Sequence, residues 1–330
     1  MTKQQTVCVI GSGSWGTALS LVLARSGRKV RLVASDEEQA QAIISAGENK
    51  HFLPGIPLPD NLSITSDLHA AIQDIDACVY ALPCIAADAF LPPLADGQYP
   101  VISACKGLHP ETLIRTDEML AKYIAPERIA ILSGPSFALE VAQGLPTAIT
   151  MAAQTIKLAE TAASFFEDTN FRIYASDDMI GVALGGALKN IIAIAAGMGD
   201  GLQLGHNSVA AVVTRGLSEM GRLTEACGGR HETLMGLSGL GDLVLTCTGS
   251  LSRNRQFGIA IAQGAGCEEA KANIGQVVEG IRTAEAVNSM ALKLNIELPL
   301  MQSVHSVLTG ELDIKTGITQ LMARPERTEV

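Results

Sequence analysis

The most informative candidate for acid–base chemistry is a lysine inside an otherwise apolar segment. Residues 179–198 read MIGVALGGALKNIIAIAAGM, and Lys189 is the one charged residue among them. Burial disfavours an ammonium ion and lowers the pKa of a lysine, which suits a general base that works near neutral pH. The alternative is a lysine whose long side chain reaches the domain surface. Asn190 is a candidate for holding a substrate oxygen, or for satisfying the helix itself.

Three further segments place polar residues where ligands commonly bind. Lys106 and the pair Gly134 and Ser136 each follow a predicted strand, and the carboxyl ends of strands line ligand sites in open α/β sheets. Asp242 ends the glycine-rich run GLSGLGD, where an anion would tune the charge of a nearby lysine. The structural alternatives are an exposed loop lysine, a simple Gly-Pro turn and a helix cap.

A candidate phosphate site follows further along the chain. Ser252 is a natural N-cap for a helix that opens with Arg253 and Asn254, and a helix N-terminus that carries arginine binds phosphate well. We interpret Arg255 as a solvated surface charge. Glu279 lies in the apolar stretch GQVVEG, where it is a candidate for contact with a cofactor ribose.

The amino-terminal segment carries a dinucleotide-binding pattern. A predicted strand, 6–10, leads directly into the glycine loop GSGSWG (11–16), and a helical pattern follows. In this pattern Gly11 permits the tight turn, Gly13 lets the backbone approach a pyrophosphate, and Gly16 lets the helix pack on the strand. The pyrophosphate then lies at the helix N-terminus, where free N–H groups favour negative charge. A purely structural turn is the alternative.

The end of the next predicted strand bears on the choice of coenzyme. Asp36 lies about twenty residues after Gly16, near the place where an acid accepts the ribose 2′-OH of NAD. Arg31 is the one nearby arginine that could meet the 2′-phosphate of NADP. We therefore predict that NADH is accepted at least comparably to NADPH.

The order of predicted elements defines the fold that must position these residues. Eight β-rich runs alternate with helical patterns, which is typical of βαβ units on a mostly parallel sheet. These runs are 6–10, 29–34, 62–65, 76–82, 100–105, 128–132, 147–151 and 171–175. Helical patterns follow at 179–198, 208–227, 252–264, 277–294 and 299–309. We expect a Rossmann-type α/β domain, residues 1–177, followed by an all-α domain, residues 178–330.

Composition narrows the functional classes. The 330 residues include 24 Lys and Arg against 34 Asp and Glu, and this net charge of −10 argues against a nucleic-acid surface. The seven cysteines show no C-x-x-C spacing, and the first residues show no signal-peptide pattern. We therefore expect reduced thiols, no metal site and a cytoplasmic protein. Residues 179–198 are nearly long enough to span a bilayer, but their central lysine and the lack of flanking basic residues favour a buried helix.

Together the motifs resemble a known family. The segments GSGSWGTAL, CKGL, LSGPSFALE, GLPTAI, IGVALGGALKNIIAIAAGM, GLSGLGDLVLTC, SRNRQFG and GQVVEG are similar to those of bacterial NAD(P)-dependent glycerol-3-phosphate dehydrogenases, in order from residue 7 to about residue 283. The resemblance implies interconversion of dihydroxyacetone phosphate and sn-glycerol 3-phosphate, which supplies phospholipid synthesis. It also implies dissociable NADH or NADPH, no metal and a homodimer.

The resemblance assigns roles to particular residues. Lys189 falls on the family's proton acceptor. The family's substrate contacts fall on Lys106, Gly134, Ser136, Lys189, Asp242, Ser252, Arg253 and Asn254. Its cofactor contacts fall on Gly11, Gly13, Ser14, Trp15, Gly16, Ser35, Lys106, Ala138, Arg253, Val277 and Glu279. Relatives often carry His or Arg where this chain has Ser35, so the resemblance leaves the preference between NADPH and NADH open.

Two other classes of function stay open at this stage. A dehydrogenase of similar architecture acting on a hydroxyacid or hydroxyacyl thioester would lack the phosphate site at 252–254. A non-catalytic protein that senses NAD(H) would keep the glycine loop without needing Lys189. Assays of coenzyme oxidation with a panel of carbonyl substrates separate the three classes.

Overall fold

A mostly parallel sheet organises the first half of the chain in the computed structural model, which describes residues 4–109, 111–167 and 169–323. Within these residues its strands are β1 (Thr6–Ile10), β2 (Lys29–Val33), β3 (Leu62–Thr65), β4 (Ala77–Tyr80), β5 (Val101–Ser103), β6 (Ile129–Ser133), β7 (Thr147–Ala153) and β8 (Phe171–Ser176). They lie in the order β3-β2-β1-β4-β5-β6-β7-β8, and every neighbouring pair is parallel except β6 and β7. The predicted sheet class is confirmed, and each predicted strand is present.

Helices cover the sheet and build the second half of the chain. Those among the strands are α1 (Ser14–Arg25), α2 (Glu37–Ala46), α3 (Leu68–Ala71), α4 (Ala87–Phe90), α5 (Thr116–Ala121), α6 (Ala138–Ala142) and α7 (Ile156–Ala163). Those after the sheet are α8 (Met179–Gly201), α9 (Gly205–Ala226), α10 (His231–Leu234), α11 (Asp242–Thr248), α12 (Arg253–Ala262), α13 (Cys267–Ile274), α14 (Glu279–Leu294), α15 (Pro299–Leu308) and α16 (Ile314–Met322). No strand follows β8 in the described residues, so the predicted helical second part is confirmed.

Strand β1 shows why the centre of the sheet is apolar. Its residues Val7, Cys8, Val9 and Ile10 are all fully buried. Since successive side chains of a strand point to opposite faces, Val7 and Val9 pack into one apolar core and Cys8 and Ile10 into another. Helices on both faces of a parallel sheet require this pattern. The sheet therefore holds the glycine loop, which follows β1, on a rigid base.

Helix α8 forms the core of the second half, where it contacts α9, α11, α12 and α14. It is long and apolar enough to cross a membrane by length and composition, but 89% of its most apolar stretch is buried inside the protein. Helix α12 approaches it so closely that a Cβ atom at Gly197 would lie 2.0 Å from the carbonyl oxygen of Arg255. The two backbones therefore pack directly against each other, which only glycine allows at that point.

Asp178 fixes the start of α8. One of its carboxylate oxygens accepts a hydrogen bond from the backbone N–H of Gly181 at 2.9 Å, which caps the helix. The other oxygen accepts from the backbone N–H of Arg230 at 2.9 Å and from the hydroxyl of Thr233 at 2.6 Å. The beginning of α8 is thereby tied to the segment around α10, and this sets the position of the lysine two to three turns further along.

Candidate active site

Two lysines from distant parts of the chain meet at one buried carboxylate. Asp242 is 1% exposed and accepts hydrogen bonds from the Nζ atom of Lys189 on Oδ1 and from the Nζ atom of Lys106 on Oδ2, the latter at 2.9 Å. Thr246 accepts from the Nζ atom of Lys189 at 3.0 Å and donates its own hydroxyl hydrogen to the carbonyl oxygen of Asp242 at 2.6 Å. We refer to Lys106, Lys189, Asp242 and Thr246 as the lysine cluster.

Four elements position the lysine cluster. Lys189 lies in the middle of α8, and Lys106 follows the end of β5. Asp242 is the first residue of α11, directly after a π-helical turn at Leu237–Gly241. Such turns are rare and frequent at functional sites. Because Thr246 comes four residues later on the same helix, its side chain shares a face with that of Asp242 and reaches the same ammonium group.

Burial decides the ionisation of Lys189. The side chain is enclosed in the core, and this desolvation is the largest of the effects that lower its pKa to about 8. The carboxylate of Asp242 opposes the shift, and the positive charge of Lys106 adds to it. The residue is 7% exposed, so the alternative of a lysine that reaches the surface is wrong. An amine with this pKa can give and take a proton near neutral pH.

Lys106 connects the lysine cluster with the first half of the chain. Its Nζ atom donates to the carbonyl oxygen of Gly134 at 2.7 Å and to the hydroxyl oxygen of Ser136 at 3.4 Å. The same atom lies 5.9 Å from the centre of the Trp15 ring, in the glycine loop. The predicted substrate contacts Gly134 and Ser136 therefore lie beside Lys106, which is predicted to contact both substrate and coenzyme, and Lys106 lies close to the predicted coenzyme contact Trp15.

A second polar group lies beside Lys189 where α8, α12 and α14 meet. The side-chain amide of Asn254 donates to the side-chain oxygen of Asn190 at 2.9 Å. The side-chain oxygen of Asn254 accepts the backbone N–H of Gly280 at 3.0 Å. Asn254 is 9% exposed, and these bonds fix the side chain of Asn190, the residue that follows Lys189 in α8.

The start of α12 has the cap that the sequence predicts. The hydroxyl oxygen of Ser252 accepts the backbone N–H of Arg255 at 3.3 Å. Arg253 is exposed, and its guanidinium donates to the side-chain oxygen of Gln276 at 3.2 Å. The interpretation of Arg255 as a solvated surface charge is wrong, because it forms a half-buried ion pair with Asp200 at 2.7 Å, near the end of α8.

The glycine loop fits the pyrophosphate of a dinucleotide. Gly11 has φ +109°, a conformation that favours glycine, and a Cβ atom at Gly16 would lie 1.8 Å from the carbonyl oxygen of Gly11. Gly13 is the N-cap of α1, so no N-cap side chain accepts a hydrogen bond from the first N–H groups of this helix, and its first turn holds no acidic residue. The N–H groups at this helix end are therefore available to an anion. The hydroxyl of Ser14 donates a hydrogen bond to the carbonyl oxygen of Phe52 at 2.8 Å.

Three further predicted coenzyme contacts lie in two places. Ala138 opens α6 and packs against the same apolar core as Trp15. Val277 and Glu279 border a groove at the start of α14 that Cys84 also lines. Burial raises the pKa of Glu279, and the nearby charge of Arg253 partly offsets this.

Two residues with clear contacts in the site had escaped the sequence reasoning. Thr246 bonds Lys189, and its spacing of four residues from Asp242 on one helix is the signal that points to it. Gln39 contacts Ser35 and the glycine-loop residue Ser12 through its side-chain oxygen. Among the described residues, no group of three or more His, Cys, Asp or Glu side chains is placed to hold a metal ion.

A dinucleotide-binding loop on a parallel sheet, facing a buried lysine on a helical second half, defines the class of nicotinamide-dependent dehydrogenases. Two family models narrow this class. The model for the NAD-dependent glycerol-3-phosphate dehydrogenase N-terminus matches residues 6–159, and the model for the C-terminus matches residues 178–319. The chain belongs to the NAD-dependent glycerol-3-phosphate dehydrogenase family.

Individual relatives agree with this assignment. The chain is 42% identical to glycerol-3-phosphate dehydrogenase [NAD(P)+] of Hydrogenovibrio crunogenus, over 99% of this chain and 98% of the relative. It is 45% identical to the enzyme of the same name from Thioalkalivibrio sulfidiphilus, over 99% of each chain. The crystal structure of glycerol-3-phosphate dehydrogenase from Coxiella burnetii superimposes with a TM-score of 0.92 at 40% identity, covering 97% of this chain and 99% of that one.

Proposed function

We propose that this protein interconverts dihydroxyacetone phosphate and sn-glycerol 3-phosphate with NADH or NADPH, and so supplies glycerol 3-phosphate for phospholipid synthesis. The observation that carries the proposal is the lysine cluster beside the glycine loop. A protein that only senses NAD(H) has no use for a buried lysine with a pKa of about 8. Family membership supports the phosphorylated substrate over a hydroxyacid or thioester.

Lys189 is the proposed proton-transfer group. In the oxidation of the alcohol, its neutral amine accepts the proton of the C2 hydroxyl as the C–O single bond becomes a carbonyl. In the reverse reaction its ammonium form returns that proton to the oxygen. The coenzyme, when bound, supplies or accepts the hydride. Asp242 and Thr246 hold the Nζ atom of Lys189 in place with two hydrogen bonds. These bonds fix the direction of the third hydrogen in the ammonium form and of the lone pair in the neutral amine.

The substrate is proposed to lie between the lysine cluster and the start of α12. Lys106 and Lys189 share the single carboxylate of Asp242, so this cluster carries an excess of positive charge when both are protonated. Gly134, Ser136, Ser252 and Asn254 are proposed as further substrate contacts. Arg253, exposed at the start of α12, is proposed to turn from Gln276 toward the phosphate.

The coenzyme is proposed to run from the end of β2 across the glycine loop to the lysine cluster. Its pyrophosphate would be held by the N–H groups at the start of α1, where Gly13 leaves open space. The proposed contacts are Gly11, Gly13, Ser14, Trp15, Gly16, Ser35, Lys106, Ala138, Arg253, Val277 and Glu279.

We further propose that the boundary between the two domains lies at residues 177 and 178, that the protein is a homodimer, and that it works in the cytoplasm. The boundary is supported by the break between Ser176, which ends the sheet, and Met179, which begins α8. Expression of residues 1–177 and the limited proteolysis of the full chain test the boundary. Light scattering of the purified protein tests the dimer, and cell fractionation tests the location.

The activity is tested by coenzyme oxidation with purified protein and a panel of carbonyl compounds. We expect kcat/KM for dihydroxyacetone phosphate to exceed that for unphosphorylated dihydroxyacetone by about a hundredfold or more, the range set by a desolvated charge pair. The panel includes a ketoacid and a ketoacyl thioester as matched alternatives. Higher turnover of either one would reject the proposed substrate, and coenzyme binding without any turnover would favour the sensor.

A further inference from the structure

The segment that follows β2 is acidic and has no cation of its own. From residue 32 to residue 49 the chain holds Asp36, Glu37, Glu38 and Glu48, with no lysine or arginine. Asp36, Glu37 and Glu38 are exposed. In a dinucleotide-binding fold this point, next to the glycine loop, is where the ribose of the adenosine lies. We refer to residues 35–39 as the β2 edge.

Asp36 is held in a fixed orientation. Its Oδ1 atom accepts the backbone N–H of Gln39 at 2.8 Å and caps α2, while its Oδ2 atom accepts the hydroxyl of Ser35 at 2.8 Å. These two hydrogen bonds lower the pKa of the Asp36 carboxyl, and the bond from Gln39 has the larger effect. The carboxylate is therefore ionised at neutral pH, and part of its accepting capacity remains free for a ligand.

Gln39 ties the β2 edge to the glycine loop. Its side-chain oxygen accepts the backbone N–H of Ser35 at 2.9 Å and the hydroxyl of Ser12. A backbone N–H can only donate, so the oxygen of the amide, and not its nitrogen, must face Ser35. The glycine loop and the carboxylate of Asp36 are consequently held at a set distance from each other.

Arg31, the candidate partner for a 2′-phosphate, is engaged elsewhere. Its guanidinium donates to the backbone carbonyl oxygens of Ala71, at 3.0 Å, and of Gln73, around the end of α3. The next cation along the chain, Lys50, lies 3.9 Å from Glu48. In the part of the chain that the structure describes, no ion pair involves Asp36, Glu37 or Glu38. Arg31 is therefore occupied by backbone oxygens of another element, and the β2 edge itself offers no cation to a 2′-phosphate.

We propose that Asp36, positioned by Ser35 and Gln39, makes this protein select NADH over NADPH. The 2′-hydroxyl of NADH can donate a hydrogen bond to the carboxylate. The 2′-phosphate of NADPH brings negative charge, and no donor, to the carboxylate of Asp36, where the β2 edge offers no counter-ion. The inference rests on the proposed function only in requiring that a nicotinamide coenzyme binds at the glycine loop.

The test is direct titration of the purified protein with NADH and with NADPH, followed by coenzyme fluorescence in the absence of substrate. We expect the dissociation constant for NADH to be at least about tenfold lower than that for NADPH at low salt, and the ratio to narrow as salt screens the charges. Equal affinities, or tighter binding of NADPH, would overturn the inference and leave the proposed function intact. Failure of both coenzymes to bind would reject the proposed function as well.

Variants assign the selection to particular residues. Asp36→Asn should bring the two dissociation constants to within about threefold, and Ser35→Arg combined with Asp36→Ser should invert the preference. Glu38→Gln removes the same charge from a nearby exposed position that has no part in the proposed contact, and should leave the ratio within about twofold. A change as large in Glu38→Gln as in Asp36→Asn would show a general charge effect and would overturn the assignment to Asp36.

Gln39→Leu tests the positioning role. Loss of the accepting oxygen frees Ser12 in the glycine loop and should weaken the binding of both coenzymes, but it also frees Ser35, which positions the carboxylate of Asp36, and should therefore weaken NADH binding several-fold more than NADPH binding. A purely structural role would weaken both coenzymes by the same factor and would overturn this part of the inference. Thermal melts of each variant confirm that the protein titrated is folded.

Discussion

The lysine cluster and the β2 edge hold charge in opposite ways. In the lysine cluster, Asp242 is buried under two lysines, and the burial that lowers the pKa of Lys189 makes it able to exchange a proton. At the β2 edge, Asp36 is exposed and its hydrogen bonds lower its pKa, so that it keeps its charge. The difference shows that burial prepares a group for chemistry, whereas exposure with local hydrogen bonds prepares a group for recognition.

The largest effect is expected from Lys189→Ala. The change removes proton transfer, which is typically worth about 10²–10⁴-fold in turnover, and also the charge that polarises the carbonyl. Binding of NADH should change little, because the glycine loop and the β2 edge remain. Turnover and NADH affinity are measured on the same preparation, with a thermal melt as the check on folding.

Lys189→Arg is the matched control for charge. It keeps the positive charge but cannot give up its proton at working pH, so it should not restore activity. If a folded alanine variant retained more than about a tenth of the turnover, proton transfer would have to be assigned elsewhere, with Lys106 as the next candidate.

Asp242→Asn should come next in size. It leaves two buried amines without their shared anion, so the pKa of Lys189 should fall below about 8. Oxidation of the alcohol needs the neutral amine; in the native protein its kcat/KM should rise with pH through about 8, and the reduction should decline over the same range. In the variant both profiles should move to lower pH, and turnover should drop by about a hundredfold as the orientation of the lysine is lost. An unchanged pH profile would show that the carboxylate does not act on Lys189.

Arg253→Ala should have a smaller effect. Because Arg253 is exposed, we expect a loss of about ten- to a hundredfold in kcat/KM for dihydroxyacetone phosphate, less than for a fully desolvated pair. Unphosphorylated dihydroxyacetone lacks the partner group and should be turned over as before. Equal losses with the two substrates would assign Arg253 to the coenzyme or to the fold.

The smallest effect is expected from Glu38→Gln, the exposed counterpart of Asp242→Asn. Both variants replace a carboxylate by its amide, but Glu38 is exposed and has no ion-pair partner among the described residues. The midpoint of thermal unfolding should therefore stay within about 2 °C of the native value, while that of Asp242→Asn should fall clearly further. Thermal melts of the two variants in parallel check this prediction. Equal shifts of the two midpoints would show that a buried and an exposed carboxylate contribute alike to stability.

The place of Asp36 at the β2 edge could be predicted from the sequence because its contacts are local, although the role of Gln39 was missed. Asp36 follows a strand and caps the next helix, and its partners Ser35 and Gln39 lie within three residues. Strands and helices could be predicted for the same reason, since their periodicity is a local property. The hydrogen bonds of Arg31 could not be predicted, because the carbonyl oxygens that accept them, around residues 70–73, come from another element.

The lysine cluster could be predicted only in part. The apolar run around Lys189 signals a costly buried charge, and this prediction of burial is confirmed. Its partner Asp242 lies 53 residues away and Lys106 lies 136 residues from Asp242. Such distances are closed by tertiary packing that no local pattern encodes, and the resemblance to a family was what placed these residues in one site. Neither a local pattern nor the resemblance pointed to the ion pair between Arg255 and Asp200, so it was not predicted.

The composition of α8 also bears on how the protein is made. The helix contains six glycines, and each costs about 1 kcal/mol of helix stability relative to alanine, so α8 is a poor helix by itself. The helices that stabilise it, α9, α11, α12 and α14, all lie after it in the chain. On the ribosome the sheet can form as soon as β8 has emerged, whereas most of the helices that pack on α8 have yet to be synthesised. We therefore expect Lys189 to stay solvated until Asp242 and the helices that follow it have emerged.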